Sequence, residues 1–158
     1  MTRVLLVGEI SNSKHLIKGL FRRGMLAGIA DPGVLNNPFI FRLIHTDLFA
    51  NYIDALSLSQ ASCVVVKNHN VNHDAVVVDS AKRGLAANKH VFVMSRPLMS
   101  PIQLAALKAM AWQKGRVLMV GEVMVNPLTG HKKSGASKEA KDFREFIQFL
   151  QWLDRHPG

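Results

Sequence analysis

Short runs of consecutive apolar residues alternate along this chain with stretches whose apolar positions recur every three to four residues. Arg3 to Val7 is the first run, and it stops at Gly8. Ser11, Asn12 and Ser13 follow, each able to cap a helix because its side-chain oxygen can accept an otherwise unpaired backbone N–H. Leu16, Ile17, Leu20 and Phe21 then fall at helical spacing, and Gly24 closes that helix. Met25 to Ala30 is a second run, ended by Asp31-Pro32-Gly33, with turn-rich residues continuing to Pro38. Phe41 to His45 is predicted as a short third strand, and Asp47 to Leu58 as a helix with Leu48, Tyr52, Ala55 and Leu56 inward.

The second half repeats the rhythm. Ser62 to Lys67 reads as a β-branched strand, Asn68 to Asn72 as a polar loop, and His73 to Arg83 as a helix ending near Gly84. His90 to Met94 is a further strand and Ser95 to Ser100 a loop. Pro101 suits a first helical position, and Ile102, Ala105, Leu107 and Met110 carry that helix to Gly115. Arg116 to Val120 is a sixth strand. Continuous apolar strands alternating with helices predict parallel βαβ units with both sheet faces covered. With right-handed crossovers the fold class is α/β, a doubly wound, mainly parallel sheet in the order 3-2-1-4-5-6. Residues 1–127 form this domain, 128–137 read as a linker, and 138–158 hold a C-terminal amphipathic helix.

That last helix carries Phe143, Phe146, Ile147, Leu150 and Leu153 on one stripe, widened by Phe149 and Trp152. So much aromatic surface must be covered. It can dock on its own sheet or meet a second chain, and the glycine-bearing linker favours a two-fold dimer or a swapped helix.

Composition narrows the classes. The 158 residues are 48% hydrophobic and 20% charged, which suits one packed domain rather than a disordered chain. No apolar run approaches the ~20 residues that span a bilayer. A lone cysteine, Cys63, excludes an internal disulfide and a cysteine metal cluster, and makes a reducing, cytoplasmic compartment the default. The net charge of +9 favours acidic partners such as nucleotides, nucleic acid or anionic surfaces.

Candidate chemistry gathers at strand ends. The first strand-to-helix turn is Gly8-Glu9-Ile10-Ser11-Asn12-Ser13. In a Rossmann domain this turn and the following helix N-terminus cradle a pyrophosphate, with glycines permitting close approach. Only the first glycine of G-x-G-x-x-G is present, and Ile10 and Ser13 occupy the other two positions. An ordinary serine-capped turn is as good a reading as an anion site. Asp31 ends the second strand where an acidic residue can accept from ribose hydroxyls, which would favour NAD over NADP. It reads equally as the start of an Asp-Pro turn. His69 and His73 stand four apart without a third metal ligand near them, so no metal is predicted. Cys63 opens an apolar strand and reads as buried and inert. Arg96-Pro97 follows the fifth strand, at the sheet edge where open α/β proteins bind ligands. Lys132 and Lys133 read as a solvated linker, and no zinc-finger, RNP or Walker A pattern supports nucleic-acid binding.

The order of these pieces resembles the N-terminal domain of the glucose–fructose oxidoreductase / inositol dehydrogenase (Gfo/Idh/MocA) family over about residues 3–127. The stretches that carry it are Val4-Leu5-Leu6-Val7-Gly8, Ala27-Gly28-Ile29-Ala30-Asp31-Pro32, and Val64-Val65-Val66 followed by Asn70 and His73. They continue in Lys89-His90-Val91-Phe92-Val93, Pro97-Leu98, Gly115 to Gly121, and Asn126-Pro127. The resemblance implies NAD or NADP held by Gly8, Ile10, Ser11, Asn12, Ser13 and Asp31, with Asn70, His73, Arg96 and Pro97 bordering the nicotinamide. It implies an NAD(P)-dependent oxidoreductase of sugars or polyols, with further groups from a second domain. Arg96 stands where the family has its catalytic lysine, and most of the glycine fingerprint is missing. A non-enzymatic module in protein or RNA binding or assembly is the alternative.

Overall fold

The computed structural model describes residues 2–8, 13–34, 46–67, 74–94, 100–120, 144 and 147–155. Six strands form one parallel sheet: β1 (Val4–Val7), β2 (Leu26–Ala30), β3 (Asp47–Phe49), β4 (Cys63–Val66), β5 (His90–Val93) and β6 (Leu118–Val120). Their order is β3-β2-β1-β4-β5-β6, and every pairing is parallel. This is the doubly wound α/β sheet that the alternation predicts, with its strand order reversing between β1 and β4.

The helices are α1 (Lys14–Arg22), α2 (Tyr52–Leu58), α3 (Asp74–Ala86) and α4 (Pro101–Lys114), with a further helical stretch over 147–155. Alternation along each strand divides the core in two. Val4, Leu6, Cys63, Val65 and Phe92 face one side, where Leu16, Ile17 and Leu20 of α1 meet them. Leu5, Val7, Val64, Val66, Val91 and Val93 face the other, under α2, α3 and α4. Both faces are buried, so the strands are continuously apolar rather than alternating.

The C-terminal helix completes the first face. Phe149, Leu150 and Leu153 are buried in the same cluster as Phe92 and α1, and the Phe92 and Phe149 rings lie 5.6 Å apart. Asp154 fastens the helix to the start of β1, accepting from the Thr2 backbone N–H at 2.9 Å and from the Thr2 hydroxyl at 2.5 Å. Of the two ways of covering this stripe, docking on the chain's own sheet is the one that Phe149, Leu150 and Leu153 take, against the favoured dimer or swapped helix. The linker over 128–137, and Phe143 and Phe146, lie outside the described residues.

Two local expectations also change. β3 is Asp47–Phe49, inside the stretch predicted as helix, while Phe41 to His45 lies outside the described residues. Leu48 matched the helical spacing by coincidence. Asn51 is the true boundary: its side chain accepts from the Ile53 N–H at 2.8 Å and starts α2 there. Gly84 does not end α3, which runs on to Ala86. A Cβ at Gly84 would stand 3.0 Å from a Val91 methyl, so this glycine lets the helix lie close on β5. Asn88, at φ 60°, makes the turn instead. At α4 the prediction and the structure agree. Ser100 and Gln103 form a reciprocal capping box, Pro101 opens the helix, and Gly115 closes it at φ 61°.

His90 ties β5 to the approach of β6. Its Nδ1 accepts from the Val117 N–H at 3.0 Å, and an Arg116 guanidinium nitrogen lies 3.4 Å from Nε2. Burial, and then the Arg116 charge, hold its pKa below the ordinary 6.5. Its neutral form thus contributes stability in full above the unfolded value, lost as the pH falls through the lower folded value. We expect the melting temperature to drop between about pH 7 and about pH 5, and His90→Asn to flatten that dependence. An unchanged slope in the variant would assign the acid loss elsewhere.

Candidate functional site

β1 and β4 stay paired to their carboxyl ends, but α1 after β1 and α3 after β4 pack on opposite faces of the sheet, and open α/β sheets hold ligands at such a reversal of strand order. Gly8 ends β1 there. Its N–H donates to the Ala30 carbonyl at 3.2 Å, while the Lys67 N–H beyond β4 donates to the Val7 carbonyl at 3.0 Å. A Cβ on Gly8 would sit 2.7 Å from the Lys67 carbonyl oxygen. This position needs glycine because the two backbones approach so closely, whether or not a phosphate sits beyond them.

Ser13 lies at the N-cap of α1. Its carbonyl accepts from the Ile17 N–H at 2.9 Å, but its side chain makes no capping bond. The hydroxyl is buried and has no hydrogen-bond partner among the described residues. Burying an unmatched hydroxyl costs about 1–3 kcal/mol, so this hydroxyl calls for a partner. No acidic residue occupies the first turn of α1, and Lys14, His15 and Lys18 are exposed along it. A helix N-terminus already carries partial positive charge, so cations in its first turn raise an anion-attracting potential at some cost to the helix.

Asp31 follows β2. Its N–H donates to the Phe49 carbonyl at 2.9 Å, and its Oδ1 accepts from the Gly33 N–H at 3.0 Å. The Asp-Pro turn reading is thus realised in the structure. A carboxylate accepts several hydrogen bonds, so holding Gly33 does not exhaust Asp31. Ile10, Ser11, Asn12, Asn70, His73, Arg96 and Pro97, and His69 beside them, lie outside the described residues. The structure therefore brings Gly8, Ser13 and Asp31 to one sheet edge.

Lys67 is the residue that sequence reasoning passed over as the end of an apolar strand. It is buried at the switch point beside Gly8. No local signal marks it, since a lysine directly after Val64-Val65-Val66 reads as the ordinary end of that strand. Cys63 is fully buried, and burial raises its pKa strongly, which removes it as a nucleophile.

No protein-family model matches the sequence, and no curated protein matches it. Solved structures do match. A protein of Klebsiella pneumoniae assigned as an oxidoreductase is 25% identical, with a TM-score of 0.60 over 76% of this chain and 34% of its own. The WlbA dehydrogenase of Chromobacterium violaceum, crystallised with NADH and UDP-GlcNAcA, is 17% identical, with a TM-score of 0.60 over 75% of this chain and 34% of its own. Homoserine dehydrogenase of Staphylococcus aureus is 15% identical, with a TM-score of 0.56 over 77% and 33%. The chain thus spans about a third of the length of these structures. The shared fold is the Rossmann-type one. Among the described residues no helix is long and apolar enough to cross a membrane.

Proposed function

We propose that this chain is the nucleotide-binding domain of an oxidoreductase of the Gfo/Idh/MocA kind, holding NAD(H) at the carboxyl edge of β1, β2 and β4. The observation that carries the reading is the buried, unpartnered Ser13 hydroxyl at the α1 N-terminus, where a pyrophosphate oxygen would satisfy it. Ser13, the turn through Ile10, Ser11 and Asn12, and the α1 N-terminus bind the pyrophosphate. Asp31 accepts from the adenosine ribose. Lys67 adds positive charge behind the turn. Asn70, His73, Arg96 and Pro97 border the nicotinamide, which supplies hydride transfer when bound. Arg96 stays protonated, so it orients an anionic or polar group rather than exchanging a proton. Sugar or polyol turnover in a cytoplasmic enzyme would need the substrate held by a further domain.

One finding favours the alternative of a non-enzymatic binding or assembly module. Gly8 and Asp31 each have a structural task that needs no ligand, the first against Lys67 and the second at Gly33. Calorimetric titration separates the two readings. NADH is expected to bind more tightly than NADPH, whose extra phosphate would meet the Asp31 carboxylate. Asp31→Ala should weaken NADH by about 1.5–3 kcal/mol, the scale of a hydrogen bond to a charged group. Ile10→Gly should strengthen it by removing a crowding side chain. A folded wild type with no heat of binding at millimolar NADH would leave the alternative standing.

A further inference from the structure

His90 and Arg116 meet at the amino edge of the sheet, where β5 begins and the chain enters β6. The bonds on the ring assign its proton. The Val117 N–H donates to Nδ1 at 3.0 Å, so Nδ1 presents a lone pair and carries no hydrogen. A neutral imidazole then holds its proton on Nε2. Burial, and then the Arg116 charge, favour that neutral form by lowering the pKa. Arg116 places a guanidinium nitrogen 3.4 Å from this Nε2, and a guanidinium has donors only. Two N–H donors therefore face one place, and no described residue supplies an acceptor there. The shortfall continues along the side chain, since Arg116 Nε is buried without a hydrogen-bond partner among the described residues. The adjoining end of α4 is already engaged: the Ala111 carbonyl accepts from the Arg116 N–H at 2.9 Å, and the Trp112 carbonyl from the Gly115 N–H at 3.2 Å. His90 and Arg116 are each half-buried, so the pair is reachable from solvent.

We propose that His90 Nε2–H and the Arg116 guanidinium form a binding site for a carboxylate. An oxygen about 2.9 Å from each nitrogen would accept from both, turning two opposed donors into two hydrogen bonds. Charge selects the class of ligand. One guanidinium beside a neutral ring supplies a single positive charge, which matches a carboxylate and leaves half of a phosphate dianion uncompensated. A carboxylate is also planar, so its second oxygen can take a further guanidinium N–H. The surroundings favour an anion: Arg3, Lys89 and Lys114 stand on the same edge of the sheet. Asp154, a carboxylate on that edge, is already taken by Thr2. The site lies across the sheet from Gly8, Ser13 and Asp31, so the inference is independent of nucleotide binding.

Nitrogen NMR of the full chain with labelled histidine, at about pH 7.5, reads the tautomer first. The expected spectrum has the His90 proton on Nε2. Acetate is then titrated to about 100 mM at fixed ionic strength, balanced with chloride, and inorganic phosphate is titrated in the same way. The His90 ring signals should move saturably with acetate, with a dissociation constant on the order of millimolar, and phosphate should bind at least about tenfold more weakly. Arg116→Met and His90→Asn should each weaken acetate at least about tenfold, the second read at the Val117 amide. Asparagine still offers an oxygen to the Val117 N–H but stops short of the Nε2 position, so its loss reports the missing donor. Arg116→Met leaves the ring and its bond to Val117 in place, so it tests the site even if His90→Asn disturbs the strand. A proton on Nδ1 would overturn the proposal, because Nε2 would then accept from Arg116 and no acceptor would be missing. So would signals that drift linearly with acetate, phosphate binding as tight as acetate, or acetate binding that survives Arg116→Met.

Discussion

Leu150→Ala is expected to lower the unfolding free energy by about 3–5 kcal/mol, the upper part of the range for a leucine removed from a sealed core. Leu150 has no exposed surface and sits in the cluster that joins α1, β1, β4 and β5. Its side chain is lost from between Phe149, the β5 residue Phe92 and the helix α1 layer, where backbone held by parallel pairing resists collapse. The size of the loss matters because the C-terminal helix is far from β1 in sequence yet is fastened to it by Asp154 and Thr2. Chemical denaturation of Leu150→Ala beside the exposed control Gln151→Ala measures it. Equal stabilities would mean that the helix over 147–155 adds nothing to this face of the sheet.

Lys89→Met should cost about 3 kcal/mol, from two charge-assisted hydrogen bonds less the burden of keeping an ammonium out of water. Lys89 is buried just before β5, and its Nζ donates to the Ser59 carbonyl at 2.8 Å and the Ala61 carbonyl at 2.5 Å. Ser59 is the C-cap of α2, so the amine also faces the negative end of that helix. Burial pushes its pKa below the ordinary lysine value, which offsets part of the gain. Methionine keeps the stem and leaves both carbonyls without this donor. Thermal unfolding of Lys89→Met against the wild type measures the cost, and an unchanged melting temperature would show that the carbonyls are satisfied without it.

The architecture was legible because apolar runs and helical spacing are local signals. Val4–Val7, Cys63–Val66 and His90–Val93 needed only their own residues to read as buried strands. β3 was not legible, since Asp47–Phe49 is an edge strand whose pairing with Gly28–Ala30 is set by the sheet rather than by its sequence. The placement of the C-terminal helix was hidden for a similar reason. Amphipathic spacing shows that a stripe must be covered, and only the partner surface on Phe92 and α1 shows by what. At the site, Gly8 and Asp31 stood out by type and spacing. Their packing tasks, the buried Lys67 and the unmatched Ser13 hydroxyl depend on contacts between distant segments, which no spacing reveals.

The first βα turn, beside the switch point between β1 and β4, is expected to bind a nicotinamide dinucleotide. Amide chemical shifts of the labelled full chain, followed through a titration with NADH, test it most directly. Saturable shifts are expected at Gly8, Ser13, Asp31 and Lys67, with the amides of Arg3, Arg23 and Gly115 at the opposite edge of the sheet unmoved. A spectrum that stays still at millimolar NADH, or that moves only at the opposite edge, would contradict it.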